Sequence, residues 1–237
     1  MPKELEGRVV ISKHEVFEDS DAYTKEIFDL GSKVIQVISA EYARAFVDMN
    51  RNLEDLPPKV PDGLIKSMTC YERPIYAKGK EPDENLIEKL ISNYYKPYHM
   101  QILRAVNNSE LELALDCHSM ADIAPGISPD VGNKRPTICL GNYLDKTCSR
   151  DTISKLARCF AEAFELNHEE VKINEPFLGK YTTKRYGLKP VPWIHVELNR
   201  DLFLRIPWFD KNTRSIDNAR LTELQRRFEN VLKLFFK

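Results

Sequence analysis

Apolar residues along the chain follow two alternating spacings, which predict strands and helices in turn. Six short segments are rich in β-branched residues or alternate apolar and polar positions, as strands do. They are residues 8–12, 33–39, 111–117, 137–140, 170–173 and 193–198. Helical spacing occupies residues 21–30, 84–106 and 151–164, and a final helix carrying Leu221, Leu224, Phe228, Val231 and Phe235. This alternation predicts the α/β class, with a mixed, mostly parallel sheet flanked by helices.

Two irregularities interrupt the pattern. Residues 52–63 contain three prolines and the pair Asp62-Gly63, which predicts a long loop. Pro97 falls inside the helical segment 84–106, where a kink or break is expected. No internal repeat and no Gly/Ser-rich linker marks a boundary, so residues 1–237 are predicted to form a single domain.

Composition and charge exclude several classes of protein. The 35 basic and 36 acidic residues nearly cancel, which gives no reason to expect binding to nucleic acid or to a membrane surface. The longest apolar runs are about five residues, against the roughly 20 that span a bilayer. The N-terminal segment MPKELEGRVV is acidic where a secretory signal would be basic and then apolar. A cytoplasmic protein is therefore expected, and a homo-oligomer stays open.

The five cysteines, Cys70, Cys117, Cys139, Cys148 and Cys159, form no CxxC pair. An odd, scattered set in a long chain indicates reduced thiols rather than a disulfide framework or a cysteine-based zinc site.

Two predicted strands end in polar groups that could hold a metal ion. The first strand is followed by His14 and by the acidic residues Glu18, Asp19 and Asp21, and the third ends at Asp116 and His118. Histidine and carboxylate are common zinc ligands, although surface histidines near acids and buried core histidines are frequent without a metal. By alternation, Asp116 and His118 share one side of their strand, so the carboxylate could orient the imidazole.

The last strand carries Glu197 between two apolar residues. A carboxylate there is costly to desolvate unless it is paired or used. Alternation places Trp193 and His195 on the same face as Glu197. Near a metal, Glu197 would be positioned to take a proton from water.

The segment YARAFVDMNR offers Arg44, Asn50 and Arg51 within eight residues. Guanidinium groups bind carboxylates in a bidentate geometry that lysine cannot reproduce, so these residues could clamp a substrate carboxylate. Internal ion pairs, for example with Asp48, are the alternative.

The order of these motifs resembles the N-formylglutamate amidohydrolase family, which is itself similar in fold to zinc carboxypeptidases and aspartoacylases. The resemblance spans residues 8–203. Its matching stretches are His14, Asp19-Ser20-Asp21, Tyr42-Ala43-Arg44, Val47-Asp48-Met49-Asn50-Arg51, Tyr95-Lys96-Pro97-Tyr98-His99, Asp116-Cys117-His118-Ser119, Leu140-Gly141-Asn142, Asn174-Glu175-Pro176-Phe177-Leu178-Gly179, Tyr181 to Gly187, and Val196-Glu197-Leu198. Lys180 departs from the family pattern, in which a second glycine often follows Gly179.

The resemblance implies a zinc carboxypeptidase-like fold and a hydrolase that cleaves the amide of an N-formyl or N-acyl amino acid such as N-formylglutamate. It implies one zinc ion per chain, held by His14, Asp21 and His118, with Glu18 and Asp19 as alternatives to Asp21. It also implies Glu197 as the general base and Arg44 as a group that stabilises the oxyanion. Asn50, Arg51 and Arg185 match substrate-binding positions, and His99 matches a motif position of unassigned role.

Two other functions remain open at this point. One is a zinc peptidase or cell-wall amidase, which a wider and less cationic cleft would favour. The other is a non-catalytic, ligand-binding descendant, which the loss of a metal ligand or of Glu197 would favour.

Overall fold

The computed structural model of the chain describes residues 1–188 and 191–237. The helices are α1 Lys13–Asp19, α2 Thr24–Phe28, α3 Glu84–Leu90, α4 Lys96–Ala105, α5 Arg150–Phe164, α6 Tyr181–Tyr186 and α7 Asn218–Phe235. The strands are β1 Ala114–Met120, β2 Ile138–Gly141, β3 Val171–Ile173, β4 Trp193–Asn199, β5 Phe209–Asp210 and β6 Ser215–Ile216. None of the helices in these ranges has the length and apolar character needed to cross a membrane.

Backbone contacts divide the chain into two compact units. Unit 1 comprises Met1–Ala22, Ile38–Ser109 and Pro125–Val131, and unit 2 comprises Tyr23–Val37, Glu110–Ala124 and Gly132–Lys237. The predicted single domain of residues 1–237 stays a prediction.

Unit 2 contains a four-stranded mixed sheet in the order β1-β4-β2-β3. The β1–β4 and β2–β3 pairs are parallel, and the β2–β4 pair is antiparallel. The predicted mixed, mostly parallel sheet is therefore confirmed. All seven residues of the central strand β4 are buried, and its apolar residues Ile194, Val196 and Leu198 alternate with the polar residues His195, Glu197 and Asn199.

The core of unit 2 uses the predicted helical stripes. On α5, Ile153, Leu156, Phe160 and Phe164 are buried. On α7, the stripe buries its middle residues Leu224, Phe228 and Val231. Phe228 packs edge-on against Phe28 of α2, with ring centroids 4.7 Å apart. Burying each such large apolar side chain stabilises the fold by roughly 1.5–3 kcal/mol.

Unit 1 is built from α1, α3, α4 and long irregular segments, among them the predicted loop 52–63. The helical segment predicted over 84–106 continues through Pro97 by means of a π-helical stretch, Ile91–Tyr95, in which the Lys96 N–H donates to the Ile91 carbonyl. Because proline has no N–H to donate, the wider turn next to it accommodates the lost bond without ending the helix.

Two predicted strands are wrong. In residues 8–12, Val9 forms only an isolated antiparallel bridge to Tyr76. Ser12 instead caps α1, since its hydroxyl accepts from the Glu15 N–H while the Glu15 carboxylate accepts from the Ser12 N–H. Residues 33–39 belong to no sheet in the described part of the chain, and Ile35 and Val37 are exposed. High β-propensity produces a strand only where a partner strand and a buried face are available.

Candidate active site

Four polar side chains meet on one face of the parallel β1–β4 pair. Asp116 lies opposite His195 in the register, and His118 lies opposite Glu197. Because successive side chains of a strand point to opposite faces, positions 116 and 118 of β1 share a face with positions 195 and 197 of β4. The third strand was predicted to end at residue 117, whereas β1 runs from Ala114 to Met120, so His118 lies within the strand.

The ligand atoms of Asp116, His118 and His195 all lie within 4.8 Å of one another, close enough to hold a metal ion. Asp116 Oδ1 is 2.9 Å from His118 Nε2, and Asp116 Oδ2 is 3.4 Å from His195 Nδ1. His195 is fully buried and Asp116 is nearly so, which keeps both away from bulk water. Two imidazoles and one carboxylate form a three-ligand set typical of catalytic zinc sites.

Glu197 borders this group. Its Oε1 atom is 3.0 Å from His195 Nε2, while its buried Oε2 atom has no hydrogen-bond partner among the described residues. A buried carboxylate oxygen without a partner is costly unless a bound group or the reaction uses it. The position of Glu197 therefore fits a proton acceptor beside the three candidate ligands.

The pKa shifts in the cluster show how strongly its charges are coupled. Burial by itself would raise the pKa of Asp116, but the adjacent His118 and His195 rings hold it well below its usual range. Burial lowers the pKa of His195, and the hydrogen bonds to Asp116 and Glu197 outweigh burial, so the net shift is upward. Asp116 is therefore ionised and available as an anionic ligand.

Residues around the cluster fix its side chains. The Thr183 hydroxyl donates to Asp116 Oδ2 at 2.9 Å and orients the carboxylate from α6. The Phe177 ring stands edge-on to the His195 ring, 6.3 Å away. The segment that carries Phe177 is joined to β2, because the Cys139 thiol donates to the Phe177 carbonyl. In the antiparallel pairing of β2 with β4, Cys139 lies opposite Glu197.

Gly141 is required where this segment crosses the end of β2. A Cβ at Gly141 would lie 2.6 Å from the Gly179 nitrogen and 2.6 Å from the Leu178 carbonyl carbon. Such distances are closer than van der Waals contact, so only glycine allows the two backbones to approach. The stretches Leu140-Gly141-Asn142 and Asn174 to Gly179, noted separately in the sequence, thus meet beside the cluster.

The predicted metal ligands fall in both units. His118 belongs to unit 2 and to the group that could hold a metal, whereas His14 and Asp21 belong to unit 1.

The His14 side chain is more than half exposed on α1, with Nε2 3.4 Å from Glu18 Oε1. Asp21 Oδ2 lies 3.5 Å from Arg44 Nη1. The buried Asp19 accepts from Lys66 Nζ at 2.9 Å and from the Cys70 N–H at 2.8 Å. The ligand set of His14, Asp21 and His118 stays a prediction.

The predicted carboxylate clamp is engaged in ion pairs within unit 1. Arg44 donates to Asp48 Oδ2 through Nε and Nη2, at 3.2 and 2.8 Å. Arg51 donates to the carbonyl and carboxylate of Asp62, at 2.9 and 2.7 Å. The buried Asn50 donates through its backbone N–H to Asp48 Oδ1. The ion pairs considered in the sequence analysis are present, and the substrate-binding role of these residues stays a prediction.

Asp48 connects both arginines, so its loss should destabilise unit 1. The carboxylate is buried, and the charges of Arg44, Arg51 and Lys66 outweigh the effect of burial and lower its pKa far below the usual value. We expect Asp48→Asn to reduce the free energy of unfolding by about 3 kcal/mol, because it leaves two partly buried guanidinium groups without this partner. Urea unfolding at pH 7 measures the loss.

The pH dependence tests the cause of this effect. A carboxylate with a lowered native pKa stabilises the fold fully above its unfolded-state value near 4, and the contribution is lost as the pH falls below that value. Asp48→Asn should therefore flatten the decline in stability below pH 4. Asp151→Asn removes an exposed carboxylate in the first turn of α5 and should change stability by only a few tenths of a kcal/mol. Equal effects of the two substitutions would contradict the assignment.

The remaining motif residues have structural contacts. His99 is buried, with Nε2 3.0 Å from the Met49 carbonyl, and the Tyr95 hydroxyl donates to the Arg51 carbonyl at 2.8 Å. Together they hold the backbone that carries the clamp. Arg185 is exposed on α6 and donates to the Tyr181 hydroxyl at 2.9 Å. Its predicted role in substrate binding is not tested by these contacts.

Sequence reasoning assigned Asp116 to orienting His118 and gave His195 no role as a ligand. The signal for both was present, since 116/118 and 195/197 each place two ionisable groups on one strand face. The pairing of β1 with β4 was not predictable from that pattern, and this pairing brings the four side chains together.

Comparison with known proteins identifies the family. The sequence profile of N-formylglutamate amidohydrolase matches residues 1–204. The chain is 25% identical to an N-formylglutamate deformylase of Pseudomonas putida, over 75% of this chain and 66% of that protein. It is 23% identical to the deformylase of Pseudomonas aeruginosa, over 78% and 70%. The chain thus spans about two thirds of the length of these relatives.

Solved structures support the fold. The chain is similar to N-formylglutamate amidohydrolase from Ralstonia eutropha JMP134, with a TM-score of 0.71 and 20% identity over 96% of this chain and 86% of that one. A gene product of Agrobacterium tumefaciens is more distant, with a TM-score of 0.51 and 17% identity over 83% and 70%. Since the family profile covers most of its length, the chain belongs to the N-formylglutamate amidohydrolase family.

Proposed function

We propose that this protein is a zinc-dependent amidohydrolase that cleaves the amide of an N-formyl or N-acyl amino acid, with N-formylglutamate as the first candidate. One observation carries the proposal. Asp116, His118 and His195 converge within 4.8 Å, beside a buried Glu197 oxygen that has no hydrogen-bond partner among the described residues. Family membership and the names of the relatives support the substrate class.

The donor set fits zinc better than a hard cation. Zinc binds imidazole nitrogen and carboxylate oxygen with three protein ligands in catalytic sites, whereas magnesium and calcium take oxygen ligands. Asp116, His118 and His195 would hold the ion, with Thr183 orienting Asp116 from outside. Bound zinc would supply Lewis acidity and lower the pKa of water to about 7.

Glu197 would carry the proton transfers. Its Oε2 atom would accept a proton as the water oxygen bonds to the amide carbon. It would then deliver that proton to the nitrogen as the carbon–nitrogen bond breaks, releasing the acid and the free amine. His195, 3.0 Å from Oε1, holds the carboxylate so that Oε2 is the oxygen left for this role.

Several features implied by the resemblance belong to the same proposal. They are the zinc carboxypeptidase-like architecture, Arg44 as an oxyanion-stabilising group, and Asn50, Arg51 and Arg185 as substrate-binding residues. The alternative ligand set of His14, Asp21 and His118 shares one residue with the set that the geometry favours. A cytoplasmic location and the oligomeric state stay predictions.

Formate release from N-formyl-L-glutamate tests the proposed function. The purified protein with zinc bound should release formate and glutamate, lose activity when a chelator removes the metal, and regain it on addition of zinc. N-acetyl-L-glutamate and a short peptide, assayed in parallel, define the acyl group and the leaving amine. Full activity in protein shown to be metal-free would contradict the proposal. Cleavage of the peptide alone would favour the peptidase alternative.

A further inference from the structure

The two ring nitrogens of His195 face two different carboxylates. Nε2 lies 3.0 Å from Glu197 Oε1, and Nδ1 lies 3.4 Å from Asp116 Oδ2. The imidazole is fully buried, so its orientation is set by these neighbours and by packing. A metal ion binds the lone pair of a ring nitrogen, and a nitrogen that keeps its hydrogen has no lone pair to offer. The nitrogen of His195 that could bind a metal therefore follows from the partner of each one.

The contact between His195 and Glu197 is a hydrogen bond donated by Nε2. Its length of 3.0 Å is typical of an N–H donor and an oxygen acceptor. A carboxylate can only accept, so the hydrogen in this contact belongs to Nε2. Metal-binding histidines commonly donate their second ring N–H to a carboxylate, which fixes both the ring and its tautomer. Glu197 has the position of such an outer partner.

The Nδ1 side of His195 has the spacing of a ligand position. The 3.4 Å between Nδ1 and Asp116 Oδ2 is longer than the usual N–H···O hydrogen bond of about 2.7–3.2 Å. Two atoms bound to one tetrahedral zinc ion at 2.0–2.2 Å are about 3.3–3.6 Å apart. His118 Nε2 contacts the other oxygen of the same carboxylate, at 2.9 Å. Both other candidate ligands are thus grouped at the carboxylate that Nδ1 faces.

Packing holds the His195 ring in this orientation. The centroid of the His118 ring is 4.9 Å away, and that of the Phe177 ring is 6.3 Å away. Gly141 lies opposite His195 in the β2–β4 register, and the backbone of residues 178–179 occupies the space that a side chain at Gly141 would need. A ring packed in this way cannot turn over without displacing its neighbours. Nδ1 and Nε2 therefore keep separate partners.

We propose that His195 is a zinc ligand through Nδ1, and that Glu197 is the positioning residue that holds it so by accepting a hydrogen bond from Nε2. This inference rests on the proposed function and adds a second, separable role for Glu197. Oε1 orients a ligand, while Oε2, which has no hydrogen-bond partner in the described part of the chain, stays available for the proton. His118 faces Asp116 with Nε2, so the two histidines use different nitrogens.

NMR of the imidazole nitrogens in the wild-type protein tests which atom binds the metal. The chain has five histidines, so isotope-labelled rings can be assigned with single histidine variants. With zinc bound, we expect His195 to show a hydrogen on Nε2 and a metal-bound Nδ1, and His118 to show a metal-bound Nε2. A spin-active cadmium isotope in place of zinc couples to the nitrogen that it binds and gives an independent reading. A His195 ring bound through Nε2, or not bound to the metal, overturns the inference.

Two substitutions test the positioning role of Glu197. Glu197→Gln keeps an oxygen that can accept from Nε2, so its zinc affinity should stay within a few-fold of the wild type. Glu197→Met is similar in size but has no oxygen, so zinc should bind about 10–100-fold more weakly, the cost typical of losing an outer partner. Competition with a chromophoric chelator measures both affinities. Glu162→Met makes the same change at an exposed position of α5 and should leave the affinity unchanged.

The outcomes keep this inference apart from the proposed function. Equal zinc affinities of folded Glu197→Gln and Glu197→Met proteins overturn the positioning role. Thermal unfolding without metal identifies a variant that has lost its fold, and the wild-type spectra then decide. Formate release by the wild-type protein is scored on its own. Release with His195 outside the coordination shell overturns the inference and leaves the function standing, whereas Nδ1 binding without release supports the inference and contradicts the function.

Discussion

Glu197→Gln is expected to lower kcat by about 10²–10⁴-fold while leaving the zinc content and the fold unchanged. Glutamine has nearly the same shape as glutamate but cannot accept a proton at neutral pH. The buried side chain also contacts His195 Nε2 through Oε1, at 3.0 Å, and the amide oxygen of glutamine can preserve this contact. Steady-state kinetics on the best substrate, with zinc measured in the same preparation, gives the result.

A matched control guards against general damage. Glu162→Gln makes the same chemical change at an exposed position of α5 and should leave kcat unchanged. If Glu197→Gln retains activity within a few-fold of the wild type, Glu197 serves to hold His195 rather than to transfer protons. A loss of zinc together with activity would instead place Glu197 among the ligands.

His195→Ala should lower zinc affinity by more than about 100-fold, because changes to groups that merely orient ligands already cost 10–100-fold. The fully buried imidazole is one of three donors that converge on the site. Competition with a chromophoric chelator measures the affinity. Thermal unfolding of the metal-free proteins shows whether the substitution also damages the fold.

The histidine series separates the two ligand sets. The set that the geometry favours predicts weak binding for His195→Ala and unchanged binding for His14→Ala. The set implied by the resemblance predicts the reverse. Both predict that His118→Ala loses the metal, so His118 is the positive control. Zinc retained by His195→Ala and lost by His14→Ala would therefore contradict the proposed centre.

Local patterns predicted the parts of the fold that depend on local chemistry. The stripes of α5 and α7 are visible in the sequence because a helix that packs on one side must repeat apolar residues every three or four positions. The strand that carries Glu197 was also predictable, because apolar residues alternate with His195 and Glu197 along residues 193–198. These elements form the core of unit 2 and the support for the candidate site.

The strand predictions that failed show what local patterns omit. Residues 33–39 have the composition of a strand, but pairing partners depend on the whole fold, and Ile35 and Val37 remain exposed. Residues 8–12 do not form a strand, because Ser12 and Glu15 form a capping box that begins α1 directly after this segment. In both segments, the β-propensity of the residues did not indicate whether a neighbouring strand would be present to pair with.

The residue types of the candidate site were predictable from the sequence, whereas the convergence of their side chains was not. His118 and Glu197 could be singled out from sequence because each places an ionisable group on an apolar strand. The convergence of Asp116 with His195 depends on the parallel register between β1 and β4, strands separated by more than 70 residues. Such long-range pairing leaves no local signal.

The metal position in a zinc-loaded crystal tests the central claim most directly. Anomalous scattering recorded on both sides of the zinc edge locates the ion without assuming its ligands. The proposed centre predicts one zinc peak about 2.0–2.2 Å from nitrogen atoms of His118 and His195 and an oxygen of Asp116, with Glu197 adjacent and not bound. A zinc peak held by His14 and Asp21, with His195 outside its coordination shell, would contradict it.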